Sequence, residues 1–343
     1  RGRARPNRRP RMEDVARLAN VSPMTVSRAL RYDSPVAEET RKRILKVIDE
    51  IGYVPDQIAS GLSSQRSGFV AICLPSLNNS HFADTLSALN RRIAEHDLQV
   101  LIGHTDYRSD KEEKVVEAML RRRPEAIVLT YDGHTPRTRA LLQASGIPII
   151  EIWEQPKDPL DHVVGFSNHA ASYAITSRLI EDGYTRLAFL GEATDDGSRG
   201  AARREGFLQA VREAGLDDTR LLYAARAPIT MSDGARAVAG LRETWPDTDA
   251  VFAVSDPCAF GMISECLRLG ISVPDDLAIA GFGDFEIGRL SLPGLTTVGV
   301  DADAIGRKTG DLIIELRNAA RAGDIIAAQH VDVPISILKR GSS

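Results

Sequence analysis

Two periodicities divide the chain near residue 67. From Met12 to Ile51 apolar residues recur at three- and four-residue intervals, the spacing of one helix face. Met12 to Leu18 carries Val15, Ala16 and Leu18, and a second helix offers Val26, Ala29 and Leu30. A third runs from about Glu38 to Ile51, with Ile44, Leu45, Val47 and Ile48 as its expected buried stripe and Gly52 as its stop. Between the first two, Ala19-Asn20-Val21 reads as a tight turn, because Asn tolerates the left-handed conformation a corner needs. Ser22 is placed to N-cap the second helix, and Pro23 suits its first turn, where a missing N–H costs nothing. From Gly68 the pattern changes. Short apolar, β-branched runs appear at 69–74, 99–104, 126–130, 147–152, 163–166, 186–191, 220–224, 250–254 and 277–282. Helical stretches fill the gaps, for example 82–96, 111–122, 169–182, 203–214 and 257–269. This alternation predicts parallel sheets covered on both faces. Two such halves, each with a crevice at its strand C-termini, make a bilobal binding fold.

Charge sharpens the division. Residues 1–66 balance to +6 and the remainder to −10, within a formal net charge of −4. A basic head on an acidic body fits a polyanion bound through the head. The Arg-rich residues 1–11 read as a disordered arm without the apolar core of a signal peptide. At 343 residues and 43% hydrophobic the chain is large enough for two or three domains. No apolar run reaches the roughly 18 residues of a membrane helix. Cys73, Cys258 and Cys266 have no CxxC spacing, so they read as core residues in a reducing cytoplasm.

A short helix with its N-terminus presented as Ser22-Pro23-Met24-Thr25 is built to enter a DNA major groove. The block containing Asp14-Val15-Ala16, Val21-Ser22, Thr25-Val26-Ser27-Arg28, Val36 to Arg41 and Gly52-Tyr53-Val54-Pro55 resembles the headpiece of the lactose repressor family of bacterial transcription factors. The segments LPSLNNSHFAD (74–84), GHTDY (103–107) and YDGHTPRT (131–138) resemble its gluconate-operon repressor branch. The resemblance implies a small all-α helix-turn-helix headpiece with a hinge helix, joined to a bilobal α/β core like that of periplasmic binding proteins, with two parallel sheets. It places a DNA-binding domain at 12–54, hinge helix and linker at 55–67 and the effector-binding core at 68–343. The lobes are expected at about 68–165 with 291–322, and 166–290 with 323–343, the chain crossing near 164–166, 289–292 and 322.

Arg28 can bond guanine O6 and N7 together, worth about 1–3 kcal/mol of discrimination, with a phosphate contact or an ion pair to Asp33 as the alternative. Met24, beside Pro23, offers only apolar contact, as to a thymine methyl. Thr25, Ser27 and Tyr53 suit phosphate contact or packing, and Ser22 can both cap and donate to a phosphate. By resemblance Leu62 is a wedge for a central minor-groove step, with Ala59 beside it. Asp56 and Gln57 depart from the family's usual Asn and Arg, and an acid near phosphates weakens affinity.

For a small molecule the candidates are His81, Phe82, Ser167, Arg203, Ser255, Asp256 and Asp284. Phe82 could stack on the apolar face of a sugar or belong to the core. Arg203 in RREGF matches the family's ligand-binding arginine, and a guanidinium can clamp a carboxylate with two parallel bonds. Ser167 and Gly283 stand where acidic residues are common in the family, and Ser255 where Asn is. A pocket with fewer acids is less hostile to an anion. His104, His134 and Glu151 are further cleft candidates.

Enzyme readings find little support. Neither GEATDDGSRG (191–200) nor GFGDFEIG (281–288) is a nucleotide loop, no GxSxG elbow occurs, and the seven histidines lack metal-ligand spacing. The expectation is a cytoplasmic, homodimeric, operator-binding regulator with no cofactor, metal or membrane partner, controlled by a sugar acid such as gluconate. A co-repressor-dependent regulator taking a neutral sugar is the alternative, and a sugar-binding protein that ignores DNA is a remoter one.

Overall fold

The computed structural model describes residues 10–30, 35–54, 67–192, 198–224 and 226–343, in two compact units that divide between Ser67 and Gly68. The expected hinge, with Asp56, Gln57, Ala59 and Leu62, lies outside the described residues, as does Asp33.

The smaller unit holds three helices: α1 (Met12–Leu18), α2 (Pro23–Ala29) and α3 (Glu38–Ile51). Asn20 adopts φ 51° at the corner, and Gly52 closes α3 in the left-handed conformation at φ 64°. Val15, Ala16, Ala19, Val26, Ala29, Ile44, Val47 and Tyr53 form one core. Two apolar residues expected on helix faces point outward: Leu18 is 51% exposed and Leu45 43%. At about 100° per residue, Val15, Ala16 and Ala19 share an arc that excludes Leu18, and Ile44, Val47, Ile48 and Ile51 share one that excludes Leu45. Two arginines of α3 close the other helices. Arg43 Nε donates to Ala19 O at 3.1 Å and Arg41 Nη1 to Ala29 O at 2.6 Å, supplying cations to carbonyls that a helix end leaves unpaired.

The larger unit contains two six-stranded sheets. Its elements in chain order are β1 (Phe69–Leu74), α4 (Ser80–Ala94), β2 (Gln99–His104), α5 (Ser109–Leu120), β3 (Ala126–Thr130), α6 (Pro136–Ser145), β4 (Ile149–Ile152) and β5 (His162–Gly165). Then come α7 (Asn168–Glu181), β6 (Leu187–Gly191), α8 (Arg199–Glu213), β7 (Leu221–Tyr223), α9 (Met231–Thr244), β8 (Ala250–Ala253), α10 (Asp256–Leu269) and β9 (Ala278–Gly283). The chain ends with α11 (Glu286–Leu290), β10 (Thr296–Val300), α12 (Ala302–Ala322), β11 (His330–Asp332) and β12 (Ile335–Leu338).

The first sheet runs β11-β5-β4-β3-β1-β2 and is parallel throughout. The second runs β12-β10-β9-β8-β6-β7, with only β12 antiparallel. Burial of both faces explains the near-continuous apolar strands, such as Ala126–Thr130 and Ala278–Gly283, which are buried at every position.

The chain passes between lobes at three places, two of which differ from expectation. The first is Phe166, between β5 and α7. The second is not at 289–292. Thr296 pairs with Ala280 and Gly299 with Gly283, so β10 belongs to the second sheet and the chain leaves it only at Asp301, which caps α12. The third is not near 322. β11 still pairs with β5 in the first sheet, and Val333 N donates to Gly165 O at 2.9 Å before β12 joins β10. Residues 291–300 therefore belong with the second lobe and 323–333 with the first.

Candidate functional site

The smaller unit presents α2 with Ser22, Pro23, Met24 and Arg28 exposed and Thr25 and Ser27 partly so. Ser22 Oγ accepts from Thr25 N at 3.1 Å and lies 2.9 Å from Thr25 Oγ1. It thus fixes the first turn of the helix whose outer face carries the polar side chains. Met24 is 63% exposed on the same face of α2 as Arg28 and so is open to an apolar contact. Tyr53 is only 7% exposed, within the three-helix core, so packing is the role its position supports.

In the larger unit the loops at the strand C-termini of both lobes converge on a small pocket of about 110 Å³. Asn79, Phe82, Tyr107 and Asp132 reach it from the first lobe, and Glu192, Arg199, Arg203 and Ser255 from the second. Phe82 is buried and packs edge-on against Trp153, 5.6 Å away, with the Arg199 guanidinium 5.3 Å from its ring centroid. It is therefore a core residue with one face on the pocket.

Arg203 lies over Phe282 at 3.7 Å. Its Nε donates to Asn168 Oδ1 at 2.8 Å and its Nη1 to Val254 O at 2.7 Å. Burial, followed by the like charge of Arg199, lowers its pKa to about 10, so it stays cationic at neutral pH. Asn168 also donates from Nδ2 to Trp153 O at 2.8 Å, which connects Arg203 to the first lobe. Trp153 has φ 71°, and a Cβ on neighbouring Gly165 would stand 2.6 Å from Glu154 O, so that close approach requires glycine.

Other candidates separate from this pocket. Ser167 spends its hydroxyl capping α7, accepting from Ala170 N at 3.0 Å. Asp256 is fully buried and braces the β9–α11 corner, accepting from Thr297 Oγ1 at 2.6 Å and Phe285 N at 2.7 Å, while burial pushes its pKa up to about 6. Asp284 pairs with Arg340 at 2.6 Å and, with His81, lines a different cavity of about 640 Å³ beside the lobe crossings. His81 packs on Phe285 at 3.8 Å, and burial lowers its pKa to about 4, so it is neutral. His104 pairs with Asp106 at 2.9 Å. His134 and Glu151 are sealed inside the first lobe, with Glu112, and do not line the cleft.

Sequence reasoning passed over Asn79, Tyr107, Asp132, Glu192 and Arg199 as individual residues. A signal existed for Arg199: Ser198-Arg199-Gly200 follows strand β6 and opens a helix, so its backbone N–H must face the crevice. The acids are equally informative. Burial holds the Glu192 carboxyl above its usual range, countered in part by Arg203. Among the described residues no group of His, Cys, Asp and Glu is arranged to hold a metal ion, and no helix is long and apolar enough to cross a membrane.

A helix-turn-helix unit joined to a two-lobed pocket defines a ligand-controlled DNA-binding regulator. Residues 11–56 match the model for bacterial regulatory proteins of the lacI family, and residues 176–343 that for a periplasmic binding protein-like domain. The chain is 32% identical to the HTH-type transcriptional regulator GntR of Escherichia coli over 98% of its own length and 99% of that protein's. Two solved structures of lacI-family transcriptional regulators from Silicibacter pomeroyi are also similar. One is 46% identical, with TM-score 0.76 over 80% of this chain and 98% of its own. The other is 31% identical, with TM-score 0.88 over 97% and 99%. The protein belongs to the lacI family and is a DNA-binding transcriptional regulator, as its relatives are named, rather than an enzyme.

Proposed function

We propose that this regulator is a cytoplasmic repressor whose operator affinity is controlled by a sugar acid such as gluconate held between the lobes. The observation that carries the effector class is the presence of two guanidinium groups, Arg199 and Arg203, on one small pocket that also offers Asn79, Tyr107, Asp132 and Glu192 to hydroxyls. A polyhydroxy carboxylate has both kinds of group. Two copies of the chain bind as a homodimer, because a pseudo-palindromic operator needs two headpieces related by a two-fold axis. In each, α2 enters the major groove with Arg28 on a guanine edge and Met24 on an apolar base edge. Ser22, Thr25 and Ser27 lie beside phosphates. Leu62 and Ala59 act at the centre of the operator. The residues from 12 to 54 form the DNA-binding domain and those from 68 onward bind the effector and dimerise.

The test is fluorescence anisotropy of the full chain on its own promoter fragment, titrated at fixed salt with gluconate, related sugar acids and the matching neutral polyols. Release by an acid alone supports the reading. Release by a neutral polyol alone replaces the effector class, and absence of specific DNA binding refutes the operator reading.

A further inference from the structure

The acid-effector reading needs a group that can take a carboxylate, and the two arginines of the pocket are not equivalent. Arg203 has committed its single Nε–H to Asn168 and uses Nη1 on Val254 O. A two-pronged grip on a carboxylate employs two nitrogens of one guanidinium edge. At Arg203 any such edge includes a nitrogen that already holds α7 or β8 in place.

Arg199 differs. The residue is 7% exposed, yet its buried Nε has no hydrogen-bond partner among the described residues. An unpaired buried N–H on a cation is costly and demands an explanation. Among the described residues the acid paired with it is Asp132 of the first lobe. Asp132 Oδ1 accepts from the Arg199 backbone N–H at 3.1 Å and sits 3.5 Å from Nε, an ion contact rather than a well-made hydrogen bond. Asp132 thus lays a carboxylate on the first N–H of a 15-residue helix, beside a guanidinium it only half satisfies. That is the place and the chemistry of a bound organic acid.

We propose that Arg199 is the residue that takes the effector's carboxylate, and that Asp132 is an internal carboxylate which the effector displaces. This rests on the acid-effector reading above. Loading the pocket then exchanges one ion pair for another: the ligand carboxylate replaces Asp132 on Arg199 and on the N-terminus of α8. The displaced Asp132 is free to accept from the ligand's hydroxyls. Because Asp132 belongs to the first lobe and Arg199 to the second, the exchange also replaces a direct lobe–lobe contact by one made through the ligand. Arg203 serves as the fixed floor that positions the chain of hydroxyls. Discrimination of an acid from its neutral polyol is therefore assigned to Arg199.

Calorimetric titration of the full-length protein with gluconate and with glucitol, its neutral polyol counterpart, tests this. Asp132→Asn keeps an acceptor for the Arg199 N–H but removes the competing charge, so gluconate should bind about tenfold tighter or more. A gain in affinity cannot arise from misfolding. Arg199→Gln should weaken gluconate about 100-fold and bring its affinity close to that of glucitol, with an unchanged circular dichroism spectrum verifying the fold. Unchanged or weaker gluconate binding by Asp132→Asn would overturn the exchange. Persistence of acid preference in Arg199→Gln would overturn the assignment to Arg199 while leaving the acid effector standing. A wild-type protein that binds glucitol but no sugar acid would remove both together.

Discussion

His134 shows how a single side chain can mislead in sequence and inform in structure. It stands two residues after Asp132, which reaches the pocket, so a place in the cleft was a reasonable expectation. Its ring instead lies wholly buried, with Nδ1 2.7 Å from Glu112 Oε1 and Nε2 3.3 Å from Glu151 Oε1. The second contact is poorly aligned, since neither of its atoms makes a hydrogen bond. Burial alone would lower the pKa of His134. The two carboxylates outweigh it and hold the value up to about 9. A folded pKa above the unfolded one contributes stability that is complete below about pH 6.5 and is lost as pH rises through about 9. The shift corresponds to roughly 3 kcal/mol as an order of magnitude. Urea denaturation of wild type and His134→Gln at a series of pH values should therefore show a stability gap that is widest near pH 6 and narrows towards pH 10. A gap independent of pH would mean that His134 acts by packing alone. The same triad anchors the segment carrying Asp132, which gives the buried charge a reason to exist beyond stability.

At the scale of elements, helices and strands with strong patterning were legible and their rotational phase was not. Ser22 opens α2 and Gly52 closes α3 as their cap chemistry predicts, yet Leu18 and Leu45 face outward. A seven-residue helix such as α1 has too few turns to fix its inward face by periodicity. In the core, β10 escaped notice because Thr-Thr-Val-Gly-Val lacks a run of large apolar residues, and its membership of the second sheet depends on pairing with β9. β11 has exposed ends and pairs along one edge only, so nothing in its sequence marks it as the close of the first sheet. The pocket was half legible for a similar reason. Phe82, Arg203 and Ser255 stood in motifs, whereas the Asp132–Arg199 pair joins residues 67 positions apart and exists only once the lobes face each other. One contact in the headpiece was invisible and carries a prediction. Arg43→Ala removes the cation that closes α1 through Ala19 O, and should cost about 1 kcal/mol of headpiece stability. Amide exchange in α1 of the full chain should quicken accordingly, with the core unaffected. Unchanged protection would show that water replaces the guanidinium without loss.

Across the whole molecule, three crossings, at Phe166, Asp301 and Val333-Pro334, tie the two lobes to each other beside the pocket. The charge inside that pocket makes effector binding depend on pH. Glu192 already holds its proton more tightly than a solvated carboxyl because it is buried. An entering anion raises its proton affinity further, so binding takes up protons. Gluconate affinity should consequently rise as pH falls towards the Glu192 pKa and flatten below it, where the group is already neutral. Glu192→Gln should abolish that slope while keeping the hydroxyl contacts a neutral amide can make. The same free energy must appear at the DNA. Coupling is reciprocal, so operator weakens effector binding by the factor by which effector weakens operator binding. The two factors must therefore agree at every pH, whether or not their common value depends on pH. Titrating gluconate into free and operator-bound protein at pH 6 and pH 8 measures the factor by which operator weakens effector binding, and reciprocity makes the other equal to it. A pH-dependent effector affinity with a pH-independent coupling factor would show that Glu192 tunes how tightly the acid is held in both states equally. A coupling factor that changes with pH would place Glu192 among the groups that tell the lobe arrangements apart.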